Sequence, residues 1–150
     1  MRVFLDANVL FSAAYQDRAG LLIFFELACA GIIQLTASAF AVEEARRNIA
    51  LKRPDRIAVY ERVIAVLAHA PAPSNEHLAM AQAVGLPPKD APILAAALAA
   101  DADLLVTGDR THFGRLFGRP IGHLVVHRPT DALSAILLDV RRNRARQDSN

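Results

Sequence analysis

Short apolar runs that alternate with longer helix-like stretches constrain this chain's fold more than any other feature. Arg2-Val3-Phe4-Leu5, residues 32–36, residues 103–107 and residues 122–127 are of strand length and mostly apolar. A strand without polar alternation must be covered on both faces, as in a parallel sheet with helices on either side. The segments between them read as helices. One follows Asn8, and a strongly apolar one spans residues 20–30 and closes at Gly31. Ser38 offers an N-cap for a helix to about residue 51. Pro54 opens another over residues 55–70, in which Ile57, Tyr60, Ile64 and Leu67 recur at helical spacing until Pro71 and Pro73 break it. Ser74 caps a shorter helix that ends near Gly85. An alanine-rich helix follows over residues 90–100, and a last one over residues 130–140. This alternation defines an α/β chain.

The 150 residues contain no repeat or linker, and their number suits one domain. We expect a folded domain over residues 1–140 and a basic, flexible tail over 141–150, where Arg141, Arg142, Arg144 and Arg146 cluster. A hydrophobic fraction of 53% against 21% charged residues excludes a disordered chain. The longest apolar stretch, residues 20–33, is interrupted by Glu26. It falls short of the roughly 20 residues a membrane helix needs. The first ten residues include an acid and lack the basic-then-apolar order of a signal peptide. A cytoplasmic protein with no membrane partner is expected. The single cysteine, Cys29, rules out an internal disulfide and a thiolate zinc site, and in Leu27-Ala28-Cys29-Ala30 it reads as a buried, inert thiol. The net charge of +2 says little about nucleic acid, because phosphate affinity follows clustered Lys and Arg rather than the total.

Ligands of open α/β sheets gather beyond the carboxyl ends of the strands. Asp6 directly follows Val3-Phe4-Leu5, and Asp109 follows Leu104-Leu105-Val106-Thr107-Gly108, so both project from one rim. A carboxylate there is costly to bury unless it is paired or binds a cation, although each acid alone also fits the capping of the next turn. Asp90 heads Ala91-Pro92-Ile93-Leu94, either as an ordinary N-cap or as a third carboxylate on the rim. Glu43 and Glu44 compete for a fourth position. Glu43 faces Arg46 and Arg47 and reads as a solvated ion-pair residue. Glu44 shares a stripe with Phe40 and Asn48, reads as semi-buried, and is the better ligand. Converging carboxylates repel one another unless a divalent cation neutralises them. Oxygen ligands favour Mg²⁺ or Mn²⁺ over zinc, and such a centre suits phosphodiester hydrolysis. The chain has neither a GxSxG elbow nor a Walker A loop.

Phe4-Leu5-Asp6-Ala7-Asn8-Val9-Leu10 resembles the opening motif of PIN-domain proteins, with an acid closing the first strand and Asn two residues on. Ser38 with Glu44 resembles the family's second motif, Asp90-Ala91-Pro92-Ile93-Leu94-Ala95-Ala96-Ala97 the third, and Asp103-Leu104-Leu105-Val106-Thr107-Gly108-Asp109 the fourth. Order and spacing match over residues 2–130. The resemblance implies a three-layer α/β/α fold around a mostly parallel sheet. It also implies a Mg²⁺- or Mn²⁺-dependent endoribonuclease that cuts single-stranded RNA. In bacteria and archaea it most often implies the VapC-type toxin of a type II toxin–antitoxin pair, with a cognate antitoxin as partner. Asp6, Glu44, Asp90 and Asp109 become the catalytic and metal-binding quartet, and Asn8 and Thr107 its polar neighbours. Many relatives carry a further acid two residues after the fourth. Here that residue is Thr111, a departure that bears on a second metal.

Arg46, Arg47, Arg110 and Arg115, with Arg119, flank the acids and are the expected phosphate contacts. A solvated face is the competing reading. His112, three residues after Asp109, reads as a polar loop residue or as a phosphate or proton contact. His69, His77, His123 and His127 lack metal-ligand spacing. Leu21-Leu22-Ile23-Phe24-Phe25 is more apolar than one helix face requires, so it reads as core or as a homodimer or antitoxin surface. Two alternatives to the nuclease stand. One is a catalytically silent PIN module that binds RNA or protein, which the four acids argue against. The other is a phosphotransfer domain, which would use a lysine beside its acids. The only lysines are Lys52 and Lys89, neither of which follows the last acid-bearing strand.

Overall fold

The computed structural model describes residues 1–16 and 19–149. Strands β1 (Arg2–Leu5), β2 (Gln34–Ala37), β3 (Ala68–His69), β4 (Leu104–Val106), β5 (Pro120–Ile121) and β6 (Leu124–His127) form one sheet in the order β3-β2-β1-β4-β6-β5. Every neighbouring pair is parallel except β5 and β6. The α/β expectation therefore holds, with an antiparallel edge added. The helices are α1 (Ala7–Tyr15), α2 (Ala19–Cys29), α3 (Ala39–Lys52), α4 (Ile57–Ile64), α5 (Asn75–Ala83), α6 (Ala91–Ala99), α7 (Arg110–Phe113) and α8 (Pro129–Asp148).

Side chains of the central strands alternate between two buried layers, as the period of two requires. Val3, Leu5, Leu104 and Val106 pack with Leu10 of α1, Phe24 of α2, Ile49 of α3, Tyr60 of α4 and Ile136 of α8. Phe4, Leu105 and Val126 pack on the other side with Ala81 of α5, Leu94 of α6 and Phe113 of α7. This double cover is why the strands carry almost no polar residues. Ser38 and Ser74 cap α3 and α5 through their side chains, and at Ser74 the ring of His77 completes the reciprocal bond.

Local sequence misleads in three places. Residues 55–70 are not one helix: a 3₁₀ turn, Pro54–Arg56, leads into α4, which stops at Ile64. Beyond it Ala68 and His69 pair with Thr36 and Ala37 as an edge strand. Helix α8 does not stop near residue 140 but continues to Asp148, through Arg, Ala and Gln residues that favour helix, so residues 141–148 are helical. Cys29 ends α2 and is exposed rather than buried. The Leu21–Phe25 block, by contrast, fits its reading as core: Phe24 and Phe25 are buried and Ile23 is the exposed member. No helix among the described residues is long and apolar enough to cross a membrane.

The sheet reverses its winding at β1. From β1 the chain steps outward to β2 and β3, then returns to lay β4 against the opposite edge of β1. Where winding reverses, the loops leaving the two strands diverge and open a crevice. Asp6 leaves β1 there, and its amide donates to the Val106 carbonyl at 3.0 Å. Leu105 anchors this junction from below, in the middle of β4 and fully buried. Leu105→Ala is expected to cost about 2–5 kcal/mol of stability, as buried Leu truncations do, measured by urea unfolding. A loss under about 1 kcal/mol would show that the junction does not depend on this layer.

Candidate active site

The crevice between β1 and β4 opens into a cleft of about 390 Å³, and Asp6, Glu44, Asp90 and Asp109 all line it. They arrive from four elements: the end of β1, the second turn of α3, the residue before α6, and the residue before α7.

Asp6 is buried and held by three donors. The Ala7 amide donates to Oδ1 at 2.7 Å, and the Thr107 hydroxyl and Asn8 Nδ2 donate to Oδ2 at 2.8 and 3.1 Å. Asn8 Oδ1 in turn accepts from the Gly108 amide at 2.9 Å, and Thr107 Oγ1 accepts from the Asp109 amide at 3.1 Å. Asn8 and Thr107 thus clip the β1 loop to the β4 loop. Burial pushes the Asp6 carboxyl above the usual carboxylate range, and the charges of Glu44 and Asp109 act in the same direction. The bonds from Thr107 and Ala7 only partly offset this.

Asp109 behaves in the opposite way. Partial desolvation works against its charge, but the backbone and ring of His112 outweigh it and hold the carboxyl below its usual range. The His112 amide donates to Oδ1 at 3.1 Å, and the ring Nδ1 lies 2.8 Å from Oδ2.

Asp90 is the informative case. As the residue before α6 it could serve as a plain cap, yet its side chain makes no capping hydrogen bond. Its Oδ2 is buried without a hydrogen-bond partner; His112 Nδ1 is 3.3 Å away but not aligned to donate. A buried carboxylate oxygen with no donor is costly unless something else compensates it. Asp90, Asp109 and His112 bring one ligand atom each to within 4.8 Å of one another. An orphaned carboxylate oxygen beside a second carboxylate fits a divalent cation.

Glu44 is exposed, not semi-buried as its stripe suggested, and it reaches the cleft from the mouth. Glu43 points elsewhere: Arg46 bridges it at 2.7 Å and Glu61 at 2.7 Å, and Glu43 and Arg46 line a separate cavity. That pairing removes Arg46 from the acids. Arg115 is spent on the carbonyls of Val84 and Gly85. Arg110 lines an adjoining cavity of about 630 Å³, walled largely by Val9, Leu21, Pro129 and Leu133, that touches the acid cleft through Asn8. Arg47 and Arg119 are exposed and line neither cavity. None of the expected arginines lines the acid cleft. Both lysines of the chain do. The sequence carries a signal for both as cleft residues, since Lys89 precedes Asp90 and Lys52 continues the row Phe40, Glu44, Asn48 at four-residue steps. His112 was legible by its one-turn offset from Asp109.

The arrangement is one that can gather a cation and a phosphate. A PIN-domain family model matches residues 2–111. A chain in the crystal structure of VapBC2 from Rickettsia felis, bound to a DNA fragment from their promoter, is similar in fold. Its TM-score is 0.61 and its sequence identity 18%, over 85% of this chain and 98% of that one. No curated protein matches by sequence. The family match takes in both strands at the winding reversal and all four acids, and the chain belongs to the PIN-domain family.

Proposed function

We propose that the protein is a metal-dependent endoribonuclease that hydrolyses phosphodiester bonds of single-stranded RNA, and that it serves as the toxin of a type II toxin–antitoxin pair. The observation that carries the nuclease reading is the buried, donorless Oδ2 of Asp90 beside Asp109 in a cleft lined by two further acids. Membership of the PIN family supports the reaction class, and the likeness to VapBC2 supports an antitoxin partner.

On this reading Asp90 and Asp109 hold a Mg²⁺ or Mn²⁺ ion, with Asp6 and Glu44 completing the acidic surround. The bound cation supplies charge neutralisation and Lewis-acid activation of water and phosphate. The chain's own contribution is positional. Thr107, Asn8 and the Ala7 amide fix the Asp6 carboxylate before substrate arrives. His112 orients Asp109. Lys52 and Lys89 offer cationic partners to the RNA backbone on a cleft otherwise repulsive to it.

Three measurements test this. Mn²⁺ at about a hundred times its Kd should add about 2.7 kcal/mol of stability and raise Tm by several degrees, and Asp90→Asn should abolish that rise while cutting RNA cleavage roughly a hundredfold or more. A flat Mn²⁺ titration of the wild type would indicate a silent module instead.

Glu44→Gln should impair cleavage far more than Glu43→Gln. The latter loses only an exposed ion pair with Arg46, worth about 0–1 kcal/mol of stability. The reverse ranking in initial rates would give the role to the wrong glutamate.

The third concerns pH in chelator-treated protein. Because Asp6 titrates higher folded than unfolded, its ionised form opposes folding. That penalty is complete above the folded pKa and absent below the unfolded value near 4. The stability of Asp6→Asn relative to wild type should therefore rise with pH across the window that opens at the unfolded value near 4 and closes at the raised folded value. A difference that stays level across that window, by urea unfolding, would show that burial leaves Asp6 unshifted.

A further inference from the structure

We propose that Phe40 is a stacking platform for a base of the RNA strand, and that it works with Lys52 to lay that strand along α3 across the acids. The proposal deepens the nuclease reading and rests on it. Phe40, Glu44, Asn48 and Lys52 are spaced by four, so they form one row along α3, and all four line the acid cleft. The row runs from an aromatic ring, through a carboxylate and an amide, to an ammonium group. At about 1.5 Å per residue it spans roughly 18 Å along the helix axis.

Phe40 is 68% exposed, an unfavourable position for a phenyl ring, and it belongs to neither buried cluster among the described residues. It is also the most exposed aromatic side chain among the large hydrophobics left in solvent. Its neighbours along the row are polar, which does not suit a purely apolar occupant. Lys52 forms no ion pair with an acid among the described residues. Its Nζ sits 5.3 Å from the centre of the Phe11 ring, which steadies the ammonium without neutralising it. A free aromatic face and an unneutralised cation on one edge are the two elements by which proteins hold single strands, through base stacking and phosphate contact. The chain has only two lysines, and both line this cleft, where they give a strand's phosphates cationic partners beside the acids.

The test is binding of a short, fluorescein-labelled single-stranded RNA by anisotropy, with Ca²⁺ in place of the catalytic ion. Phe40 is exposed, so its variants should fold; Tm and the Mn²⁺ shift verify this. Phe40→Ala should weaken binding about 5- to 100-fold, Phe40→Leu nearly as much, and Phe40→Trp should bind like wild type. On a strand of the same length without bases, wild type and Phe40→Ala should bind equally. Phe40→Ala should leave the salt dependence of binding unchanged, whereas Lys52→Gln should lower its log–log slope by roughly 0.7. Unchanged affinity in Phe40→Ala, an equal loss on the baseless strand, or full rescue by Leu would overturn the platform and leave Phe40 to contact with another protein. A wild-type protein that keeps its Mn²⁺-linked rise in Tm but binds no RNA would overturn both the platform and the RNA substrate, leaving the metal centre intact.

Discussion

The carboxylate of Asp6, buried at the end of β1, is the constraint from which the rest of the site follows. The backbone of Asp6 ties β1 to β4 through Val106, and its side chain ties the loops of the same two strands through Thr107 and Asn8. Hydrogen bonds to a charged group contribute about 1.5–3 kcal/mol each, while desolvating a carboxylate costs several kcal/mol. The outcome is close, and here the donors lose: burial and two neighbouring acids leave the carboxyl above its usual range. The fold therefore retains an incompletely compensated negative charge at its winding reversal. A sheet selected for stability alone would have closed this junction with an apolar side chain.

Much of the fold could be read from the sequence because double burial leaves a strong mark. Strand β4, and β1 beyond Arg2, are unbroken apolar runs, and Ser38 and Ser74 announce the helices they cap. The edges were not legible. Strands β3 and β5 have two residues each and exist only through their partners, Thr36–Ala37 and Leu124–Val125. Local periodicity carried the predicted helix past Ile64, because Leu67 keeps the helical spacing after the chain has turned toward the sheet. The end of α8 is hard to place from sequence because its last two turns are charged rather than apolar, although Arg and Ala are good helix formers.

The acids were legible for a different reason: a carboxylate immediately after an apolar strand has few innocent explanations. Asp90 was ambiguous because an N-cap looks the same in sequence whether or not its side chain caps. Only the coordinates separate the two, by leaving Oδ2 without a donor. The arginines sit apart from the acid cleft because nearness in sequence is not nearness in space. Arg46 follows Glu44 by two residues, which on a helix turns it toward Glu43 and Glu61. Lys52 is eight residues from Glu44 and yet lies on the same row.

The resulting charge arrangement has a thermodynamic consequence for the proposed activity. Four carboxylates repel a phosphate, by about 1 kcal/mol per unit pair at 4 Å even in bulk water and more at a partly buried site. Lys52 and Lys89 offset only part of that. A cation that neutralises the acids therefore raises affinity for RNA, and linkage requires RNA to raise affinity for the cation by the same factor. His112 sits between Asp90 and Asp109 and already satisfies Asp109, so a cation bound there would gain most at Asp90, whose buried Oδ2 has no hydrogen-bond donor. The buried oxygen that Asp90 does not spend on a cap is what would make it a good ligand.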